Sequence, residues 1–144
     1  MKHLILITTL LWSLSAYPER HDLTKMFEGI KYIETNNNPM AIGDNGKAFG
    51  IAQIHKIAVD DVNRMYGTNY THDDAFDERC AEEIFYLYIT AGIERFTRIY
   101  KRPPTEGEVV RMWNGGIYQG YRINATIKYY RKYEQSAKQW KLSA

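Results

Sequence analysis

With 144 residues, 44% hydrophobic and 25% charged, the chain has the length and composition of one globular domain with a real core. A formal net charge of +2, with acids and bases interspersed, excludes the strongly basic footprint of a nucleic-acid binder and reads as solvated faces. A single cysteine, Cys80, excludes an intrachain disulfide and with it the stapled class of small secreted domains; it reads as a small buried apolar residue rather than a nucleophile.

The first residues, MKHLILITTLLWSLSA, have the layout of an export signal. Lys2 gives a positive start, Leu4 to Trp12 a short apolar run, and Ser13, Ser15 and Ala16 the small residues of a cleavage site. Cleavage after Ala16 leaves Leu14 at a non-ideal position, whereas cleavage after Ser15 puts serines at both key sites. The run is shorter than the about 20 apolar residues of a membrane span, although an uncleaved anchor or a buried first helix is the competing reading. Residues 1–16 are therefore read as a signal peptide and 17–144 as one mature domain, exported to the periplasm or secreted. No cysteine near the cleavage site offers a lipid anchor, so no membrane anchor is expected after cleavage. Loss of Lys2 leaves a balance of +1 with histidine neutral.

Next, Asp22 or Thr24 can cap a helix to about Glu34. Met26, Phe27, Ile30 and Ile33 form its apolar stripe. Glu34 falls at the stripe's edge, where core meets solvent and partial desolvation raises a carboxyl pKa. Asn36, Asn37, Asn38 and Pro39 stop the helix, and Gly43 to Gly46 spell a turn. Phe49 to Ile54 reads either as a short extended piece, making a hairpin with the residues from Met40, or as the entry to the next helix. Ala58, Val59, Val62, Met65 and Tyr66 mark a second amphipathic helix from about Lys56, ended by Gly67. A polar connection leads to Asp77, which can cap a long helix to about Tyr100 with Cys80, Ile84, Leu87, Tyr88 and Ala91 inward and a bend at Gly92. Thr105 and Glu108 form a capping-box pattern for a helix to about Trp113. Gly115 and Gly116 end it, Ile117 to Tyr121 is a loop, and a last helix runs from about Asn124 to Trp140 with Ile127, Tyr130 and Tyr133 on one side. The expected fold is mainly α, a helical domain with a short hairpin or extended segment after Glu34.

Glycoside cleavage needs a proton donor at the leaving oxygen and stabilisation of an oxocarbenium-like transition state. A carboxylic acid with a raised pKa supplies that proton near neutrality. Glu34 has the position for it, though spacing alone equally describes an idle glutamate at a helix end. Glu34, Asn38–Pro39, Gly46–Gly50 and Ala52–Gln53–Ile54 together resemble the first motif of the soluble lytic transglycosylase and goose-type lysozyme superfamily, in which a catalytic Glu closes a helix. Thr35 stands where that motif has Ser. RMWNGG, from Arg111 to Gly116, resembles the family's Tyr-Asn-x-Gly segment, with Trp113 for Tyr. ATIKYYRKY, from Ala125 to Tyr133, resembles its Glu-Thr-x-x-Tyr helix, with Ala125 for Glu and with Thr126 and Tyr129 retained.

The resemblance implies an α+β lysozyme-like fold and cleavage of the β-1,4 bond between N-acetylmuramic acid and N-acetylglucosamine, with peptidoglycan glycan strands as partner. It implies Glu34 as general acid and base, Gln53, Trp113 and Asn114 as sugar-binding or site-shaping groups, and Tyr129 with its hydroxyl near the acid. Each also has a plain structural reading: the amides can tie buried backbone, and the rings can simply pack. A lytic transglycosylase needs one carboxylate, because the muramic C6 hydroxyl displaces the leaving sugar. An inverting hydrolase needs a second carboxylate about 6.5–9.5 Å away, and Asp44 is the candidate. Asp44 reads equally as a turn residue bonding its own backbone. A second acidic position of goose-type lysozymes is His55 here. Asp60 and Asp61 read as a solvated helix face. His21, His55 and His72 lack a metal-ligand spacing, so neither metal nor cofactor is expected. A non-catalytic wall-binding module and a specialised accessory of a secretion system or of phage entry, with secretion-system or envelope partners, are the alternatives of other class.

Overall fold

The computed structural model describes residues 20–143; the stretch read as a signal peptide, and the boundary at residue 16, lie outside the described residues. Among these residues five α-helices carry the fold: α1 (Arg20–Thr35), α2 (Lys56–Tyr66), α3 (Glu78–Tyr100), α4 (Glu106–Gly115) and α5 (Ala125–Ser143). A small antiparallel sheet lies between α1 and α2, in the order β1 (Ile42–Gly43), β2 (Ala48–Phe49), β3 (Ile54–His55). The chain is thus mainly helical with a minor sheet, and no described helix is long and apolar enough to cross a membrane.

α1 buries the expected stripe of Met26, Phe27, Ile30 and Ile33, with Leu23 extending it by a turn. The helix is already formed at Arg20, so neither Asp22 nor Thr24 caps it. The Thr24 hydroxyl instead donates to Glu82 on α3 at 3.2 Å. Asn36 and Asn37 end α1 in the left-handed region, with φ of 53° and 64°, which asparagine tolerates better than most residues. Their N–H groups return to Tyr32 O and Lys31 O, satisfying carbonyls of the last turn.

Each strand has only two residues, and β2 is the centre: Ile42 faces Phe49, and Phe49 faces Ile54. So short a sheet needs outside support. The His72 ring stacks on Phe49 with centroids 3.9 Å apart, and its Nε2 donates to Ile54 O at 2.7 Å. His72 belongs to a 3-10 turn, His72–Phe76, inside the polar connection between α2 and α3.

Asp77 caps α3 as expected, accepting from Cys80 N at 2.9 Å. The inner face of α3 is a correction. Ala81, Ile84, Phe85, Tyr88, Ile89, Ile93 and Phe96 are buried, while Cys80, Leu87 and Ala91 are only half-buried. α3 packs on α1, α2 and α4, so its apolar surface is too broad for one stripe to describe. The helix is continuous through Gly92, where the Ile117 side chain packs against it. Phe27 and Phe85 meet at 5.2 Å in the middle of the core, each contributing about 2–3 kcal/mol through burial.

α4 opens with the expected capping box between Thr105 and Glu108 and extends to Gly115, past the expected end at Trp113. Gly116, with φ of 91°, follows it. The loop beyond holds a short turn at Gly120–Arg122 before α5. Of the face expected on α5, Tyr133 is buried, and Ile127 and Tyr130 are half-buried. α5 lies on α1 at Gly29, where a Cβ would come within 2.6 Å of the Tyr133 ring. That approach brings the far end of the chain beside Glu34.

Candidate functional site

Glu34 occupies the last turn of α1 and lines an open groove of about 610 Å³. The turns of the sheet supply Asp44 and Gln53 to this groove, β3 supplies His55, α2 supplies Asp61, α3 supplies Tyr88, and α4 with its following loop supplies Trp113, Asn114 and Tyr118. Glu34 keeps part of its surface open to the groove while protein atoms crowd its carboxyl. Burial raises its pKa above the ordinary carboxylate value; the Tyr129 hydrogen bond and the Lys132 charge oppose the rise without cancelling it. The Tyr129 hydroxyl donates to Glu34 Oε1 at 2.6 Å. Tyr129 does not line the groove itself but stands behind the acid. Lys132, one turn further along α5, donates to Ile33 O at 2.5 Å, adding positive charge at the C-terminal end of α1.

Tyr129→Phe removes the bond that stabilises the carboxylate, so the Glu34 pKa should climb further. Carboxyl-carbon NMR titration reads this directly, and an unmoved or lowered pKa would show that the 2.6 Å bond does not persist in solution.

Thr35, next to the acid, explains how the following segment is held. Its hydroxyl donates to Ile51 O at 2.8 Å and accepts from Asn38 N at 3.1 Å, fastening the approach to β3 onto the end of α1. Serine at this position would keep the hydroxyl. Thr35→Val should therefore lower stability by about 1–2 kcal/mol in urea unfolding, with Thr35→Ser close to the parent.

The other expected residues separate into groups. Gln53, held at φ of 54°, donates to Gly50 O at 3.0 Å and Ala41 O at 3.4 Å, so its amide ties backbone together at the groove wall. Trp113 packs edge-on against Phe85 at 5.0 Å and Tyr88 at 6.1 Å and still lines the groove. Asn114 is exposed on the groove, and its amide makes no hydrogen bond among the described residues. Asp44 is exposed at the rim, with φ of 47°. Its side chain does not bond its own backbone as a turn aspartate would; its carboxylate lies 3.6 Å from His55 Nε2, an ion pair when His55 is protonated.

Asp61 is a correction. Asp60 does pair with Lys56 at the solvated face, but Asp61, one residue on, is turned into the groove with only 15% of its side chain exposed. Tyr88 and Tyr118 are the further groove residues that sequence reasoning passed over, one as core and one as loop. Tyr118 offered only an aromatic side chain four residues after Asn114, and Tyr88 offered no signal beyond its place on the apolar face of α3. Among the described residues no group of three or more His, Cys, Asp or Glu is placed to hold a metal ion.

No protein-family model matches this chain, and comparison with curated proteins and with solved structures likewise gives no match.

Proposed function

We propose that this chain has a lysozyme-like fold and cleaves the β-1,4 bond between N-acetylmuramic acid and N-acetylglucosamine in peptidoglycan, as a lytic transglycosylase. The observation that supports it best is the setting of Glu34: a carboxyl with a raised pKa on an open groove, with a tyrosine hydroxyl 2.6 Å from one oxygen. With Oε1 engaged by Tyr129, Oε2 is the atom to carry the proton. Protonated Glu34 delivers it to the glycosidic oxygen as the bond from the muramic anomeric carbon breaks. The resulting carboxylate takes the proton of the muramic C6 hydroxyl, whose oxygen closes on the anomeric carbon. The product is a 1,6-anhydro sugar, no water is consumed, and Glu34 ends protonated again.

A hydrolytic muramidase is the second reading, favoured by one observation: Asp44 shares the groove with Glu34 and is open to water. Either activity requires export, which the leader-like opening of the sequence supports, and implies glycan strands of the wall as partner, whether in turnover or in service of an envelope assembly.

Digestion of purified peptidoglycan, analysed by mass spectrometry beside Glu34→Gln, tests these readings. Anhydro ends from the wild type alone support transglycosylation, and reducing ends support hydrolysis. Absence of any released fragment, with wall binding equal in both proteins, would replace both with a non-catalytic binding module.

A further inference from the structure

We infer that Tyr118 and Asp61 form a saccharide subsite of the groove, an aromatic platform beside a hydroxyl acceptor, held in register by Arg64 and Arg95. This deepens the glycan-cleaving reading above and rests on it.

Arg64 on α2 makes the connection. Its Nη2 donates to Asp61 Oδ1 at 2.5 Å and to the Tyr118 hydroxyl at 3.3 Å, although Tyr118 is 54 residues away in the loop after α4. From α3, the Arg95 guanidinium lies 5.1 Å from the centre of the Tyr118 ring, an attraction between a cation and an aromatic face. Two helices therefore fix one loop tyrosine. That tyrosine nevertheless stays 45% exposed and lines the groove, so the ring surface not covered by Arg95 is left to whatever enters.

Asp61 shows the same division of roles. One carboxylate oxygen is held by Arg64, and Oδ2 has no hydrogen-bond partner among the described residues. Tyr88, Asp61 and Tyr118 all line the same groove. Stability does not account for this arrangement, since pairs involving an exposed arginine contribute little.

A pyranose ring presents an apolar C–H face bordered by hydroxyl donors. An exposed aromatic face takes the first and a free carboxylate oxygen accepts from the second. Both groups are already anchored, so little side-chain freedom is lost on binding.

The test uses the full chain carrying Glu34→Gln, so that sugar is bound without turnover, with the N-acetylglucosamine tetramer as probe in titration calorimetry. Adding Tyr118→Ala should weaken binding about tenfold, whereas Tyr118→Phe, which keeps the ring, should stay within about threefold. Adding Asp61→Ala should weaken it about fivefold. Thermal melts confirm that the variants fold. Equal affinity in Tyr118→Ala and its parent overturns the subsite, as does failure of the parent to bind the tetramer at all. The glycan-cleaving reading stands or falls separately, on whether the wild type releases fragments from peptidoglycan.

Discussion

Glu34→Gln is expected to reduce fragment release from peptidoglycan about 1,000-fold, within the range general acid catalysis supplies. Glutamine keeps the size and can still accept from Tyr129, so the groove stays shaped while the transferable proton is lost. Activity within a few-fold of wild type would remove Glu34 from the chemistry. A second readout has the opposite sign. Burial raises the Glu34 pKa in the folded chain, so folded protein holds that proton more tightly than unfolded protein does. Below the unfolded value of about 4.3 the carboxyl is neutral in both states and there is no penalty. As pH rises through that value towards the folded pKa, a penalty for the buried charge develops, and above the folded pKa it is complete. Glu34→Gln should therefore melt at a higher temperature than wild type at neutral pH, with the gap closing in acid. A residue that lowers stability while sitting on an open groove is more readily explained by function than by folding.

Gly50→Ala is expected to destabilise the chain by about 3 kcal/mol or more, a large part of a typical domain's margin. Gly50 is buried with φ of 74°, and an added Cβ would lie 1.7 Å from Ala75 O, a backbone atom with no room to swing aside. Here the connection between β2 and β3 presses on the turn that carries His72. Forcing them apart would also unseat Phe49 from His72 and loosen the backbone that Gln53 holds. Urea unfolding followed by circular dichroism reads the loss as a lower midpoint. An unchanged midpoint would mean that the two segments do not meet so closely.

The helices were legible where local chemistry dominates. The α1 stripe, the Asp77 cap, the Thr105–Glu108 box and the Gly67 stop each depend on residues within a turn or two of one another. The α3 face was off because burial on several sides leaves no single stripe to find. The sheet was legible only as a turn with extended flanks, since two-residue strands show no alternation. In the candidate site, Glu34 and Tyr129 were matched by motif, and their 2.6 Å contact brings the pair together. Asp61 was not legible: consecutive helix residues point about 100° apart, and only packing against the loop after α4 decides which of Asp60 and Asp61 meets the groove. Tyr118 depended in the same way on Arg64 and Arg95, neither of which is near it in sequence.

The acid and the hydroxyl that holds it are 95 residues apart, one near the start of the described chain and one on its last helix. A growing polypeptide that has emerged only as far as α4 carries Glu34 without Tyr129 or Lys132, and without the neighbours that α5 places around it. The surroundings of Glu34 are thus complete only when α5 closes onto α1. A fragment ending before Ala125 would lack the Tyr129 and Lys132 contacts even if its sheet and first helices form, and on the proposed reading it should release no fragments from peptidoglycan.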